Sequence, residues 1–202
     1  MANKSSPVFG RPREFDRGTA LLAAMEVFWR KGFLAASMND LCAAMGIRSP
    51  SLYAAFGSKE NLYVEAVGQY DTIAREKIWD HLEADGPALA GLRKALVATA
   101  GIMAGGPGNP TGCMVTLAAG EDCPGAVPET AQRTRLAGFT RLRARFKRAV
   151  AAGELPRGTD IDRLARFYLG IIQGMAVQGR DGASEKELAG MVDTALAAWP
   201  GR

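Results

Sequence analysis

The sequence predicts an all-α protein, with a three-helix head at its N-terminus and a larger helical-bundle body behind it. Three observations predict this. Apolar residues recur at spacings of three and four along most of the chain, with no sustained strand-like alternation. Two segments near positions 38–45 and 49–56 read as helices of only about two turns each, too short to be stable without neighbours. Longer segments with broad apolar faces then follow, separated by Gly/Pro-rich breaks.

A polar, basic stretch occupies positions 1–15. The first helix is expected over about 16–31, with Leu21, Ala24, Met25 and Phe28 on its apolar side. Asp16 suits its N-cap and Gly32 its stop. In the two short helices, Ser37 is placed to cap the first, while Ser49-Pro50 offers the second a cap and a proline at the first helical position. A longer helix starts after Ser58 and runs toward Leu82, until Asp85-Gly86-Pro87 breaks it. Another covers about 88–104. The loop over 105–110 lacks the Lys-Ser/Thr pair of a phosphate-binding loop. A short apolar helix near 113–119, a long one over 129–152, and a final pair over 160–178 and 184–199 complete the body. The division expected is an arm at 1–15, a head at 16–60 and a body at 61–202.

Composition excludes several function classes. The net charge of +4 is mildly basic, which permits a polyanionic partner without requiring one. The three cysteines, Cys42, Cys113 and Cys123, are odd in number and widely spaced, unlike a disulfide framework. A zinc site would need all three to converge with His81, the single histidine. A Ser-His-Asp or Cys-His arrangement would have to use the same His81, and no spacing supports it. No catalytic residue, metal or cofactor is expected; an all-α enzyme is the remote alternative. No stretch approaches the roughly 20 apolar residues that span a bilayer, and no apolar leader opens the chain, so no membrane association and a cytoplasmic location are expected.

The segment from Asp40 to Ile47 carries the rhythm of a helix-turn-helix. Cys42 is small where two helices must cross closely, and Gly46 can supply a positive φ at the turn. Leu41, Ile47, Leu52 and Phe56 can pin the second helix to the first. Ser49, Pro50, Ser51, Tyr53 and Ala54 then face outward, short enough to enter a major groove. Lys59, at the start of the next helix, can join its ammonium to the backbone N–H groups there around one phosphate.

Positions 15–66 closely resemble the DNA-binding head of the tetracycline-repressor (TetR) family. The likeness rests on Phe28-Trp29-Arg30-Lys31-Gly32-Phe33, on the stretch from Ser37 to Gly46, on Ser49-Pro50-Ser51-Leu52-Tyr53, and on Phe56-Gly57-Ser58-Lys59-Glu60-Asn61-Leu62. It implies that Ser37 and Asn39 meet the DNA backbone or groove edge. Arg48, Ser49, Pro50 and Ser51 would lie closest to the bases, and Tyr53 and Lys59 would hold phosphates. The implied partners are double-stranded DNA at a palindromic operator, a second copy of the chain and a small-molecule effector, with repression as the default outcome. Cys42 departs from the alanine usual in the family, and a packing role is expected for it. Only Arg48 is long enough for a bidentate base contact, so sequence preference is expected to depend partly on DNA shape. Lys4, Arg11 and Arg13 suit either a minor-groove arm or a solvated tail.

For the body, the resemblance implies a four-helix bundle shared by two copies, with Ile171, Ile172, Met175, Leu188, Val192 and Trp199 as candidate interface residues. Gly170 and Gly174 would allow close helix approach. Met103, Met114, Leu117, Phe139, Phe146 and Tyr168 are the candidate lining of an effector cavity, and their character suggests an apolar or aromatic ligand. The run Arg133, Arg135, Arg141, Arg143, Arg145, Lys147 and Arg148 reads as a solvated face paired with acids, with an anion site or a second DNA site as the alternative. Cys113 and Cys123 lie beside loops. Buried inert thiols and a thiol-based redox sensor are the two readings of them.

Overall fold

The computed structural model describes residues 15–106 and 109–201; the arm residues Lys4, Arg11 and Arg13 lie outside them. Helix α1 spans Arg17–Ala35 and is capped by Asp16, whose carboxylate accepts the Thr19 N–H at 2.6 Å. Gly32 breaks this helix rather than ending it, at φ 79° and ψ 172°, and one more turn follows. The sequence marks Gly32 as a stop because nothing local shows what holds the chain beyond it.

Helix α2, Met38–Met45, begins with a reciprocal capping box between Ser37 and Asp40 and ends on Gly46 in the left-handed region, φ 65° and ψ 27°. Helix α3, Ser49–Phe56, starts one residue earlier than the cap reading places it. Arg48 stands at its N-cap without a side-chain bond, and Pro50 lies one residue further into the first turn. Helix α4, Lys59–Ala74, is capped by Ser58 and passes through a π-helical turn, Arg75–Trp79, into the short α5, Asp80–Glu83.

The body continues with α6, Ala88–Ala104, and α7, Met114–Leu117, extended by a 3₁₀ turn at Ala118–Gly120. Then come α8, Val127–Ala151, α9, Ile161–Arg180, and α10, Glu185–Ala197. In the head, α1 packs on α2 and α4; in the body, α6 packs on α9 and α10, and α8 on α9 and α4. Buried apolar side chains form one cluster running from Ala20 in the head to Trp199 in the body.

Of the seven basic residues on α8, Arg133, Arg143, Lys147 and Arg148 are exposed, whereas Arg135, Arg141 and Arg145 are drawn into the fold. Arg145 is buried and donates to the carbonyls of Leu82 and Gly86, satisfying the end of α5 at the expected break. Arg135 donates to the Val115 carbonyl at 2.6 Å, Arg141 pairs with Glu83 and Arg143 with Asp162. Among the described residues no helix is long and apolar enough to cross a membrane.

Candidate nucleic-acid interface

Gly46 turns the chain sharply between α2 and α3, and Leu41, Met45, Leu52 and Phe56 are buried behind the turn. The α3 residues Ser49, Pro50, Ser51, Tyr53 and Ala54 are all exposed, as are Arg48 before them and Ser37 and Asn39 at the start of α2. The structure therefore presents the candidate contact residues of both short helices at the surface. Tyr53 is 49% exposed, a large aromatic with no covering element.

Ser37 and the half-buried Lys59 have structural duties as well. The Ser37 hydroxyl donates to Asp40 at 2.7 Å and accepts the Asp40 N–H at 3.1 Å. Hydrogen bonds from Lys31 and then from Ser37 hold the Asp40 carboxyl far below the usual carboxylate range. The Lys59 ammonium lies 4.4 Å from the centre of the Phe33 ring, so it is steered at the first turn of α4 by a cation–π contact. Arg17, which no local sequence pattern marks, fastens α3. Its guanidinium covers the Phe56 ring at 4.3 Å and pairs with Glu65 at 2.8 Å. These partners lie far apart in sequence, beyond the reach of any local pattern.

Body residues grip the break in α1 from both sides. Arg180, at the end of α9, donates to the carbonyls of Trp29 at 2.6 Å and Arg30 at 3.1 Å. Glu121, after the 3₁₀ turn, accepts the Phe33 N–H at 3.0 Å and occupies the space that a Gly32 side chain would need. Trp29 donates its indole N–H to the Gly112 carbonyl at 3.1 Å. Three body residues thus hold the first helix of the head. Beside them Cys123 donates to Glu121 at 3.3 Å; burial first, then this bond, pushes its thiol up to about 11. Burial and the Glu121 carboxylate also raise Tyr63, whose hydroxyl has no hydrogen-bond partner among the described residues.

Two hollows lie near this junction. A cleft of about 320 Å³ separates α1 from α4 and the end of α6. An inner cavity of about 50 Å³ lies between α4, α8 and α9, and Met103, Cys113, Thr116, Arg135 and Gln173 are among its lining. Of the sequence candidates for an effector site, Met103 lines the inner cavity. Met114 is buried at the start of α7 and Leu117 half-buried at its end, and neither lines either hollow. Phe139 is covered by Arg166 at 4.4 Å. Phe146 and Tyr168 are buried in an aromatic stack with Trp199, the centroid of Phe146 standing 5.8 Å from Tyr168 and 5.5 Å from Trp199.

The interface candidates also turn inward. Met175, Leu188 and Val192 are buried within the protomer, Trp199 belongs to the aromatic stack, and Ile172 lines the inner cavity. Ile171 alone of the six is half-buried rather than buried. The opposite side of α9 carries Phe167, Gly170, Gly174 and Val177 at helical spacing, all exposed except the half-buried Gly174.

A small head presenting an exposed short helix, clamped to an all-helical body, defines a helix-turn-helix regulator. The family described as bacterial regulatory proteins, tetR family, matches residues 20–66, and the tetracyclin repressor-like C-terminal domain matches residues 88–195. The chain belongs to the TetR family of transcriptional regulators. It is 32% identical to the HTH-type transcriptional repressor ComR of Escherichia coli (strain K12), covering 95% of this chain and 92% of that one. It is 40% identical to the repressor BdcR of the same organism over 87 residues, 43% of this chain and 44% of that one. Among solved structures it resembles the TetR family regulator CifR, a triple cysteine variant in complex with 26-base-pair operator DNA. Identity is 39% and the TM-score 0.89, over 95% of this chain and 100% of that one.

Proposed function

We propose that the protein is a DNA-binding transcriptional repressor, acting in the cytoplasm as a homodimer on a palindromic operator and released by a small apolar or aromatic effector. The observation that carries this is the exposed surface of α3, from Ser49 to Tyr53, with Lys59 at the first turn of α4 beside it. In this reading Arg48, Ser49, Pro50 and Ser51 meet base edges, and Ser37, Asn39, Tyr53 and Lys59 meet phosphates and groove edges. The similarity to ComR and to operator-bound CifR supports it.

Two copies join through the uncovered side of α9, Phe167 to Val177, together with the outer side of α10. Such pairing sets two heads on successive major grooves, which lie roughly 34–36 Å apart. The domain division follows the sequence reading, with a head of 16–60 and an effector-binding and dimerising body of 61–202. An effector bound in the body weakens DNA binding only if it prefers the form whose heads do not fit the grooves.

The test is binding of the purified protein to an operator selected from random duplexes, followed by fluorescence anisotropy over a range of salt. Sequence-selective binding that weakens steeply with salt is the expected result. Equal affinity for selected and random duplexes would overturn the proposal.

A further inference from the structure

We infer that the cleft between head and body is a binding site for an uncharged aromatic molecule of one or two rings bearing a hydroxyl or similar donor–acceptor group. The regulator reading bears on what occupancy is for; the binding itself is independent of it.

Size is the first argument. An engineered cavity of about 150 Å³ holds benzene. The inner cavity, at about 50 Å³, has room for water but not for a ring. The cleft, at about 320 Å³, has room for two fused rings.

Chemistry is the second. Leu22, Met25, Ile73 and Ile102 give the cleft apolar walls, and Trp29 and Tyr70 line it as an edge-to-face pair with centroids 4.9 Å apart. The indole of Trp29 is fixed by its bond to the Gly112 carbonyl, so this aromatic surface is preformed. Two charged groups share the lining, Glu26 from α1 and Lys77 from the π-helical turn. Both are exposed, so they stand at the mouth of the cleft, and a charged group carried inward past them would lose its water against the apolar walls. A hydroxyl can donate to the first and accept from the second.

Position is the third. The π-helical turn, a rare feature that concentrates at functional sites, places Lys77 and Ile78 in the cleft and Trp79 on the inner cavity. Tyr70, Ala74 and Ile78 line both hollows and form the partition between them. An occupant of the cleft touches α1 of the head and both α4 and α6 of the body.

The three tryptophans make the test direct, because Trp29 lines the cleft, Trp79 lines the inner cavity and Trp199 lies in the aromatic stack. The full-length protein without DNA is titrated with 2-naphthol, and the three indole N–H resonances, assigned with Trp→Phe variants, are followed by NMR. A saturable shift at Trp29, with Trp199 unmoved, is expected. Leu22→Arg, at a rim position already 41% exposed, should weaken binding at least tenfold without unfolding the chain. The carboxylate analogue 2-naphthoate and the cation 2-naphthylmethylammonium should each bind at least tenfold more weakly than 2-naphthol. No saturable shift, a shift at Trp79 that Leu22→Arg leaves intact, or equal affinity for a charged analogue would each overturn the inference. Failure of operator binding would instead count against the regulator reading, since no DNA is present in this titration.

Discussion

Arg180 donates to the main-chain carbonyl of Trp29 at 2.6 Å, joining the end of α9 to the last carbonyls before the break in α1. The two residues are far apart in sequence, and the bond runs from body to head. A guanidinium suits this position because the final carbonyls of a helical segment lack partners and carry partial negative charge. Arg180→Ala should lower unfolding stability by about 1.5–3 kcal/mol, the range for hydrogen bonds to charged groups. Urea denaturation measures it. An unchanged midpoint would show that the bond holds nothing.

Gly32 faces the same clasp. Its φ of 79° with ψ of 172° lies in a region open essentially to glycine, and an added Cβ would overlap the Glu121 carboxylate. Gly32→Ala should therefore cost more than the roughly 1–3 kcal/mol of backbone strain alone. Pairing it with Glu121→Ala should recover only the steric part, leaving a protein still less stable than Glu121→Ala by about that strain. Full recovery in the double variant would show that the backbone carries no strain.

The clasp also marks where sequence reasoning stops. Asp16, Ser37 and Ser58 announce their helices because a cap works through residues three positions away. Gly46 declares its turn, and the outward set of α3 follows from the apolar spacing around it. Gly32 looks like an end because the groups that carry the chain past it, Glu121 and Arg180, sit in another domain of the sequence. Periodicity likewise identifies an apolar face without saying what covers it. Met175, Leu188 and Val192 face their own protomer, and Phe146 and Tyr168 face Trp199 rather than a cavity. The π-helical turn has no local signature at Arg75–Trp79, and with it the cleft stays hidden.

If α3 and the start of α4 meet DNA as proposed, Tyr53→Ala and Lys59→Ala should weaken binding to every duplex. Lys59→Ala should also reduce the slope of log affinity against log salt by about one unit. Substitution of Arg48 or Ser49 should instead change which operator is preferred. Ser37→Ala should cost about 1 kcal/mol of stability besides any DNA effect, because its hydroxyl caps α2. Anisotropy titrations and thermal melts on the same samples separate these effects. Unchanged affinity in both the Tyr53 and Lys59 variants would remove α3 and α4 from the interface.

Self-association should depend on the uncovered side of α9. Phe167 is 40% exposed and Val177 47%, so Phe167→Glu with Val177→Glu should yield a folded monomer with weakened operator binding. Val192→Asp, at a position 1% exposed, should unfold the protomer instead. Sedimentation velocity and circular dichroism distinguish the two. A Phe167/Val177 double variant that stays dimeric would place the interface elsewhere.

The thiols supply the last prediction, against a redox sensor. Cys113 is buried and accepts the Tyr70 hydroxyl at 3.1 Å. Cys123 is half-buried beside Glu121, and its thiol is raised from 9.0 to about 11. A raised thiol pKa keeps the neutral form dominant below that value, and the thiolate is the reactive species. At pH 8 the thiolate fraction of Cys123 should be roughly a hundredfold below that of the unperturbed thiol, rising as the pH approaches 11. Iodoacetamide labelling followed by peptide mass spectrometry, with an unfolded control, measures this ratio directly. Labelling of Cys123 at the rate of the unfolded control would show that Glu121 and burial do not protect it. Cys113→Ser and Cys123→Ser should each retain operator binding, and peroxide should not release the wild-type protein from DNA. Release of the wild type by peroxide, with either serine variant resistant, would establish thiol sensing instead.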